Sequence, residues 1–270
     1  MNEQLDELIN SFDSFFKIDK PSIPIIGREK DIQTLLETFY KKRMQNSIII
    51  GPAGCGKTAL VQQLNCELQK HKMKQIIVGF SCLSAISGTK YRGDFEEKIQ
   101  RAINKVKRFN KDNEESAEIV LFIDELHIIM QLSNKGGEHQ TLSFCDIIKP
   151  LLSNGEIKII GATTEDEFNQ FIKNDKALTR RFSVIKLNTL DKASVTNILR
   201  KFSNKKIDDT LLEYIYDKSQ SLKGTNPDIS IEICDRAMAK SIFNKEKFVS
   251  KDTIDKVLDS MSNYVSSIID

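Results

Sequence analysis

Apolar stretches long enough to cross a bilayer are missing. The uncharged apolar runs, such as Ile76–Phe80 and Ile119–Ile123 with five residues each, are far shorter than the roughly 20 that a spanning helix needs. No membrane association is expected. A secretory signal is missing as well: MNEQLDELIN is acidic before it is apolar, the reverse of the export pattern. Cysteine is scarce and irregular. Cys55, Cys66, Cys82, Cys145 and Cys234 are odd in number and form no C-x-x-C pair. That spacing argues against a disulfide framework or a zinc site and fits a reducing cytosol, so a cytoplasmic location is expected. The histidines, His71, His127 and His139, show no metal-ligand spacing. Nor is charge of one sign in excess, since 40 Lys+Arg against 38 Asp+Glu leaves +2. A protein that works mainly as a polycation on nucleic acid is disfavoured. Low-complexity tracts and internal repeats are absent too.

What is present suits a folded, layered protein. Of 270 residues, 40% are hydrophobic and 29% charged, enough to bury a core. Three zones are expected. Residues 1–24 form a leader in which Leu5, Leu8, Ile9, Phe12, Phe15 and Phe16 fall at helical spacing, a short helix packing on its own domain. Pro21 and Pro24 end it. Residues 25–188 alternate apolar strands with helical patterns. Strands are expected at Ser47–Ile50, Gln75–Phe80, Glu118–Asp124, Ile157–Gly161 and Phe182–Leu187. Most are continuous apolar runs, as in a parallel sheet buried on both faces under helices. Between them Lys57–Lys70, Asp94–Phe109, Ser143–Leu152 and Asp166–Phe171 suit helices. Residues 189–270 lose the strands and read as four helices, Asp191–Phe202, Asp208–Leu222, Pro227–Phe243 and Ser250–Ile269. The fold class is α/β, a five-stranded parallel sheet covered by helices, with a C-terminal helical lid.

The sharpest motif is Gly51-Pro52-Ala53-Gly54-Cys55-Gly56-Lys57-Thr58, a full match to G-x4-G-K-[ST]. It follows a strand and opens a helix. Glycines let backbone N–H groups converge on phosphate oxygens, and the helix N-terminus adds its positive end. Lys57 is expected to reach the β/γ-phosphates of ATP and Thr58 to ligand Mg²⁺.

The apolar run Ile119–Ile123 ends in two carboxylates, Asp124 and Glu125. Asp124 at the tip can hold the Mg²⁺ shell. Glu125, turned to the other side, can polarise the attacking water. His127 reads as an ordinary loop or helix residue. Thr164 ends another strand; if the two strands are neighbours, its hydroxyl can reach the γ-phosphate or the water. Arg180-Arg181 sits before the last strand, suited either to phosphate recognition or to plain solvation, and spacing does not decide between them.

Taken in order, Ile25-Ile26-Gly27-Arg28-Glu29, the phosphate loop, Gly88–Glu97, Leu121–His127, Gly155-Glu156, Ile160–Thr164 and Ala177–Phe182 resemble the AAA+ ATPases, specifically the first ATPase module of the Clp/heat-shock-100 class of protein unfoldases and disaggregases. The likeness runs from about Pro24 to Ser260. It implies that Ile25 and Ile26 line the adenine and that Thr164 is the sensor-1 residue. It implies that Arg180 and Arg181 are arginine fingers acting on a neighbouring subunit, within a homo-oligomeric ring that is usually a hexamer. Lys90-Tyr91-Arg92-Gly93 matches the pore loop, whose aromatic grips a polypeptide in the central channel. The chain departs from the class in several ways. A second module, a globular N-terminal substrate domain and a coiled-coil insertion, usual in the class, are not expected within these residues. Gln131–His139 replaces the usual Gly-Ala-rich loop. Pro227-Asp228 matches a dipeptide near the nucleotide, and Arg236 stands as a candidate sensor-2 residue.

The reading is a cytoplasmic, Mg²⁺-dependent ATPase that threads or remodels polypeptide. Two rivals are a nucleotide-gated switch or adaptor for a protein partner, and a DNA-linked ATPase. The basic runs Lys70–Lys74 and Lys105–Lys111 would carry the second, but acids at Asp112, Glu114 and Glu115 follow closely. A solvated face explains them better.

Overall fold

The computed structural model of the chain describes residues 2–23, 25–87, 89, 92–134, 148–150, 152 and 154–269. They group into two compact units. The first comprises residues 1–20, 30–51 and 57–187, and the second residues 21–29, 52–56 and 188–270.

The first unit is built on one six-stranded sheet. Its strands are β1 (Phe15–Lys17), β2 (Asn46–Ile50), β3 (Gln75–Phe80), β4 (Glu118–Ile123), β5 (Lys158–Thr163) and β6 (Phe182–Lys186), in the spatial order β1-β3-β4-β5-β2-β6. The pairings among β2 to β6 are all parallel, and β1 pairs antiparallel to β3. Every residue of β2 and β5 is buried, and only Glu118 of β4 is partly exposed. That is why these strands read as continuous apolar runs: neither face meets water. Edge strand β6 shows the alternative, with Val184 facing out at 45% exposure. The five expected strands are present. β5 runs on two residues further than its apolar run, to Thr163, which is fully buried.

The sixth strand corrects the expectation for the leader. The helix α1 (Asn2–Asn10) ends early, and Phe15–Lys17 pairs with the sheet instead, Phe16 opposite Gly79. Gly79 makes this possible: a methyl group there would collide with the Phe16 ring. Helices α2 (Glu29–Tyr40), α3 (Lys57–Lys70), α4 (Cys82–Ile86), α5 (Arg92–Asp112) and α6 (Leu126–Asn134) follow in turn. The core gathers Phe95, Ile99, Ile103 and Val106 of α5, Leu126, Ile129 and Met130 of α6, and inward residues of β2 to β5. After β5 a single α-helical turn, Glu165–Glu167, passes into a π-helical turn, Phe168–Ile172, where the sequence suggested one plain helix. Arg180 and Arg181 come after a short helix, Lys176–Thr179, capped by the Asp175 carboxylate accepting the Leu178 N–H at 2.9 Å. Among the described residues no helix is long and apolar enough to cross a membrane.

The second unit carries helices Lys192–Ser203, Asp209–Ser219, Asp228–Phe243 and Lys251–Ile269, close to the expected spans. Their starts are set by caps: Asp191 accepts the Ser194 N–H at 2.8 Å and Ser250 the Thr253 N–H at 3.2 Å. Their shared core includes Val195, Leu199, Leu212, Ile215, Ile233 and Ile254. Arg28 is buried in this unit and donates to the carbonyls of Cys55, at 3.0 Å, and Asn188, at 2.7 Å.

Candidate active site

Three strand tips come together at the C-terminal end of the sheet. β4 and β5 are neighbours, with Ile123 opposite Gly161, and β5 also flanks β2, with Thr163 opposite Ile50. Gly51 opens the phosphate loop by donating its N–H to the Thr163 carbonyl at 3.3 Å. The loop needs backbone conformations that side chains disfavour. Gly54 has φ +75° and Gly56 φ +94°, both in the left-handed half of the map that glycine enters without strain. A methyl at Gly54 would also lie 2.7 Å from Asp228 Cβ, whereas the space over Gly56 is open. Asp228, of the dipeptide singled out in the sequence, therefore packs on the loop itself.

Lys57 begins α3 and is buried, with its ammonium donating to the Gly51 carbonyl at 3.0 Å. Thr58 follows and donates its hydroxyl to Asp124 Oδ2 at 2.7 Å. Asp124 Oδ1 accepts the Glu125 N–H at 3.1 Å. A hydroxyl and a carboxylate in direct contact beside a phosphate loop are hard oxygen donors, and this donor set fits Mg²⁺. The buried Cys82 thiol points at the Asp124 carbonyl, 3.8 Å away. Burial, then the Asp124 charge, pushes its pKa up to about 12, so it stays an inert thiol.

Glu125 has φ +54°, a left-handed backbone for a residue with a side chain. Its side chain meets the His127 ring, Oε2 lying 3.2 Å from Nδ1, while Asp124 meets Thr58. Burial first, then the Asp124 and Glu167 carboxylates, push its carboxyl above the usual glutamate value, while His127 and Lys57 pull the other way. Glu125, His127 and Glu167 form a compact cluster, their nearest polar atoms all within 4.8 Å of one another. The sequence reading set His127 aside and did not single out Glu167 or Thr163. Their grouping depends on residues about forty positions apart, and no local spacing reports it. Thr164 sits one residue past β5 and caps the next turn, its hydroxyl accepting the Glu167 N–H at 3.3 Å.

Arg180 and Arg181 lie at the other end of the sheet. β6 starts at Phe182, which pairs with Asn46, the first residue of β2, and the Asn46 amide donates to the Arg181 carbonyl at 3.3 Å. The phosphate loop leaves the far end of the same strand. Five residues of β2 separate them, roughly 16 Å at strand rise. The arginines line a cavity of about 550 Å³ shared with Lys42, Arg43 and Lys158. Ile25 and Ile26 are half-buried in the second unit. Arg236 is exposed and paired to Glu232 on its own helix at 2.5 Å. Lys90 and Tyr91 lie outside the described residues, as does most of Gln131–His139; Arg92 and Gly93 open α5. The basic runs meet acids: Lys70 pairs with Glu67 at 2.7 Å and Lys107 with Glu156.

The fold and this site define a phosphate-loop nucleotide module with an acidic strand tip. The family described as "ATPase family associated with various cellular activities (AAA)" matches residues 47–190, more than half of the chain, and the chain belongs to it. Curated relatives include "ATP-dependent Clp protease ATP-binding subunit ClpL" of two Staphylococcus aureus strains, USA300 and NCTC 8325 / PS 47, each 41% identical over 189 residues. The match takes in 67% of this chain and 26% of theirs, so the chain spans about a quarter of those relatives' length. Solved structures of similar fold include the S. cerevisiae Hsp104-ADP complex, at TM-score 0.73 and 27% identity, covering 88% of this chain and 42% of that one. A closed-state reconstruction titled "Hsp104:ATPyS and FITC casein" follows at TM-score 0.72 and 26% identity, covering 95% of this chain and 44% of that one. The chain is thus a Clp/heat-shock-100-type AAA+ module.

Proposed function

We propose that this module hydrolyses ATP at the interfaces of a homo-oligomeric ring, a hexamer as in its class, and uses the energy to thread or remodel polypeptide in the cytoplasm. One observation carries the ring: Arg180 and Arg181 lie at the opposite end of the sheet from Gly51, Lys57 and Thr58, the phosphate-loop residues of the same unit. Two guanidinium groups beside a cationic cavity suit a triphosphate, and a second copy's loop is the one they can serve.

In this reading the loop N–H groups of residues 51–58 and the Lys57 ammonium bind the β/γ-phosphates. Ile25 and Ile26 hold the adenine. Thr58 and Asp124 would hold Mg²⁺, which when bound neutralises charge on the phosphates. Glu125 orients a water and takes its proton as the oxygen attacks the γ-phosphorus and the bond to ADP breaks. Thr164 steadies the water or the γ-phosphate, and Arg180 and Arg181 of the adjacent copy bind the charge that spreads over the transferred group. Lys90, Tyr91, Arg92 and Gly93 form the pore loop. Support for a polypeptide substrate comes from relatives: the Hsp104 structures include complexes titled with casein.

Mixing subunits tests the reading. An Arg180→Ala protomer with an intact acidic tip should regain turnover beside a Glu125→Gln protomer that supplies intact fingers. Mixtures that show only the average of two inactive parents would sink it. Tyr91→Ala should lose casein-stimulated turnover, which Tyr91→Phe should keep because the gripping ring remains.

A further inference from the structure

His127 stands one helical position past Leu126 at the start of α6, and only 8% of it is exposed. Leu126, Ile129 and Met130 of the same helix are fixed in the core, which leaves the imidazole no freedom to swing out. Its ring stacks on Phe171, with centroids 6.3 Å apart and planes 26° from parallel. Phe171 belongs to the π-helical turn Phe168–Ile172; such turns are frequent at functional sites.

The surroundings of Nδ1 fix its protonation. The atom lies 3.2 Å from Thr163 Oγ1, 3.1 Å from Glu167 Oε2 and 3.2 Å from Glu125 Oε2. Thr163 has one hydroxyl proton, and it donates that proton to Glu167 Oε2 at 2.9 Å. The Thr163 oxygen therefore meets Nδ1 as an acceptor. Both carboxylates are acceptors too. A bare Nδ1 lone pair facing three oxygens would be repelled by all of them, so Nδ1 carries the hydrogen.

Glu167 is the fixed side of this arrangement. Besides Thr163, it accepts the Thr164 N–H at 3.0 Å as half of a capping box. Burial alone would raise its pKa, but the bonds from Thr164 and Thr163 and the nearby imidazole leave it lowered, and the carboxylate stays charged. Glu125 is the loose side. Its side chain is half exposed, and it stands on a left-handed backbone next to Asp124. Left alone, Glu125 would be pushed off by the like charge of Glu167. The imidazole, with Nδ1 3.2 Å from Glu125 Oε2 and 3.1 Å from Glu167 Oε2, stands between the two carboxylates and offsets that repulsion.

We propose that His127 is a positioning residue that aims the Glu125 carboxylate, held in place by the buried Thr163–Glu167 pair and by the Phe171 ring. This rests on the ATPase reading above, because it assigns Glu125 the water. A general base displaced by about 1 Å can lose on the order of 100-fold in rate without any loss of binding. His127 touches no reacting atom in this scheme; it acts through Glu125.

The test exploits the shapes of two amides. An asparagine can place an N–H where Nδ1 stood, while a glutamine places it near the Nε2 position. His127→Asn should hold kcat for ATP within about threefold of wild type. His127→Gln should lower kcat by roughly 10- to 100-fold, with KM and the affinity for a fluorescent ATP analogue unchanged in both. A ring that merely fills space gives no reason for the two amides to differ. Equal kcat in the two variants would overturn the proposal. A second readout needs no turnover: with three histidines in the chain, imidazole nitrogen NMR of the wild type, assigned by the same variants, should show His127 protonated at Nδ1. An unprotonated Nδ1 would overturn it as well. Wild type and Glu125→Gln run alongside. An inactive wild type or an unimpaired Glu125→Gln would overturn the ATPase reading together with this one, whereas normal controls with equal amide variants overturn this one alone.

Discussion

The two ends of one sheet carry opposite chemistry. At the C-terminal end, β4 delivers Asp124 and Glu125, β5 delivers Thr163, and β2 delivers the phosphate loop. At the N-terminal end lie Lys42, Arg43, Lys158, Arg180 and Arg181 around a cavity. Parallel pairing produces this segregation, because β2 to β6 all start at one end and finish at the other. An antiparallel sheet would mix starts and finishes and could not keep the phosphate loop and the acidic tip apart from the arginines. The separation teaches that the arginines and the acidic tip stand too far apart along the sheet to act on one phosphate group within a single copy, which is what the proposed ring would resolve.

The comparison can be broken by experiment. The largest effect is expected at the arginine end. Arg180→Ala or Arg181→Ala should lower kcat by about 10³ to 10⁵ while each protomer still binds nucleotide, as measured by steady-state turnover beside equilibrium binding. Retained turnover in both would mean that this end has no part in the chemistry. At the acidic end, Glu125→Gln should cost about 10² to 10⁴ in kcat and leave ATP bound, so that a filter-binding assay retains radiolabelled ATP long after the wild type has released product. Next comes the framework between the ends. Lys158 and Glu118 form a mostly buried pair at 2.7 Å, and Gln75 also donates to Glu118 at 2.8 Å, tying β3, β4 and β5 together. Lys158→Met should lower unfolding free energy by about 3 to 5 kcal/mol, read from a urea midpoint; a shift under about 1 kcal/mol would show that the pair is dispensable. The smallest effect is expected from Asn46→Ala. Its amide serves the Ile159 N–H at 2.9 Å and the Arg181 carbonyl at 3.3 Å, and losing both should cost about 1 to 3 kcal/mol in the same melt.

The sequence showed the nucleotide-binding half of the site because its signals are local. A strand, a glycine loop and a helix start are contiguous, and so are five apolar residues and two acids. Interior strands announced themselves because burial on both faces leaves no polar alternation. The leader misled for a physical reason: Phe12, Phe15 and Phe16 keep a helical spacing, yet a bare Gly79 on β3 offers the aromatic ring a flat seat worth more than another turn of helix. Helix α2 escaped notice although Leu35 and Phe39 share one face and are buried. The π-helical turn has no local code at all. His127 was discounted because a lone histidine has no partner in its own segment; Thr163 is 36 residues away.

The short antiparallel strand has a consequence for how copies of the chain meet one another. β3 lies next to the outside of the sheet, and the Val78–Phe80 half of its outer row is claimed by Phe15, Phe16 and Lys17. Without those three residues the row would be an open template, and the nearest matching template in a concentrated solution is the same row on another copy. Residues 11–17 thus work as a selvedge, the bound border that stops a woven cloth from fraying. A chain trimmed at Ile18 should keep its phosphate loop and its arginines and still be lost to sheet-to-sheet precipitation, with ring assembly and aggregation competing for the same molecules.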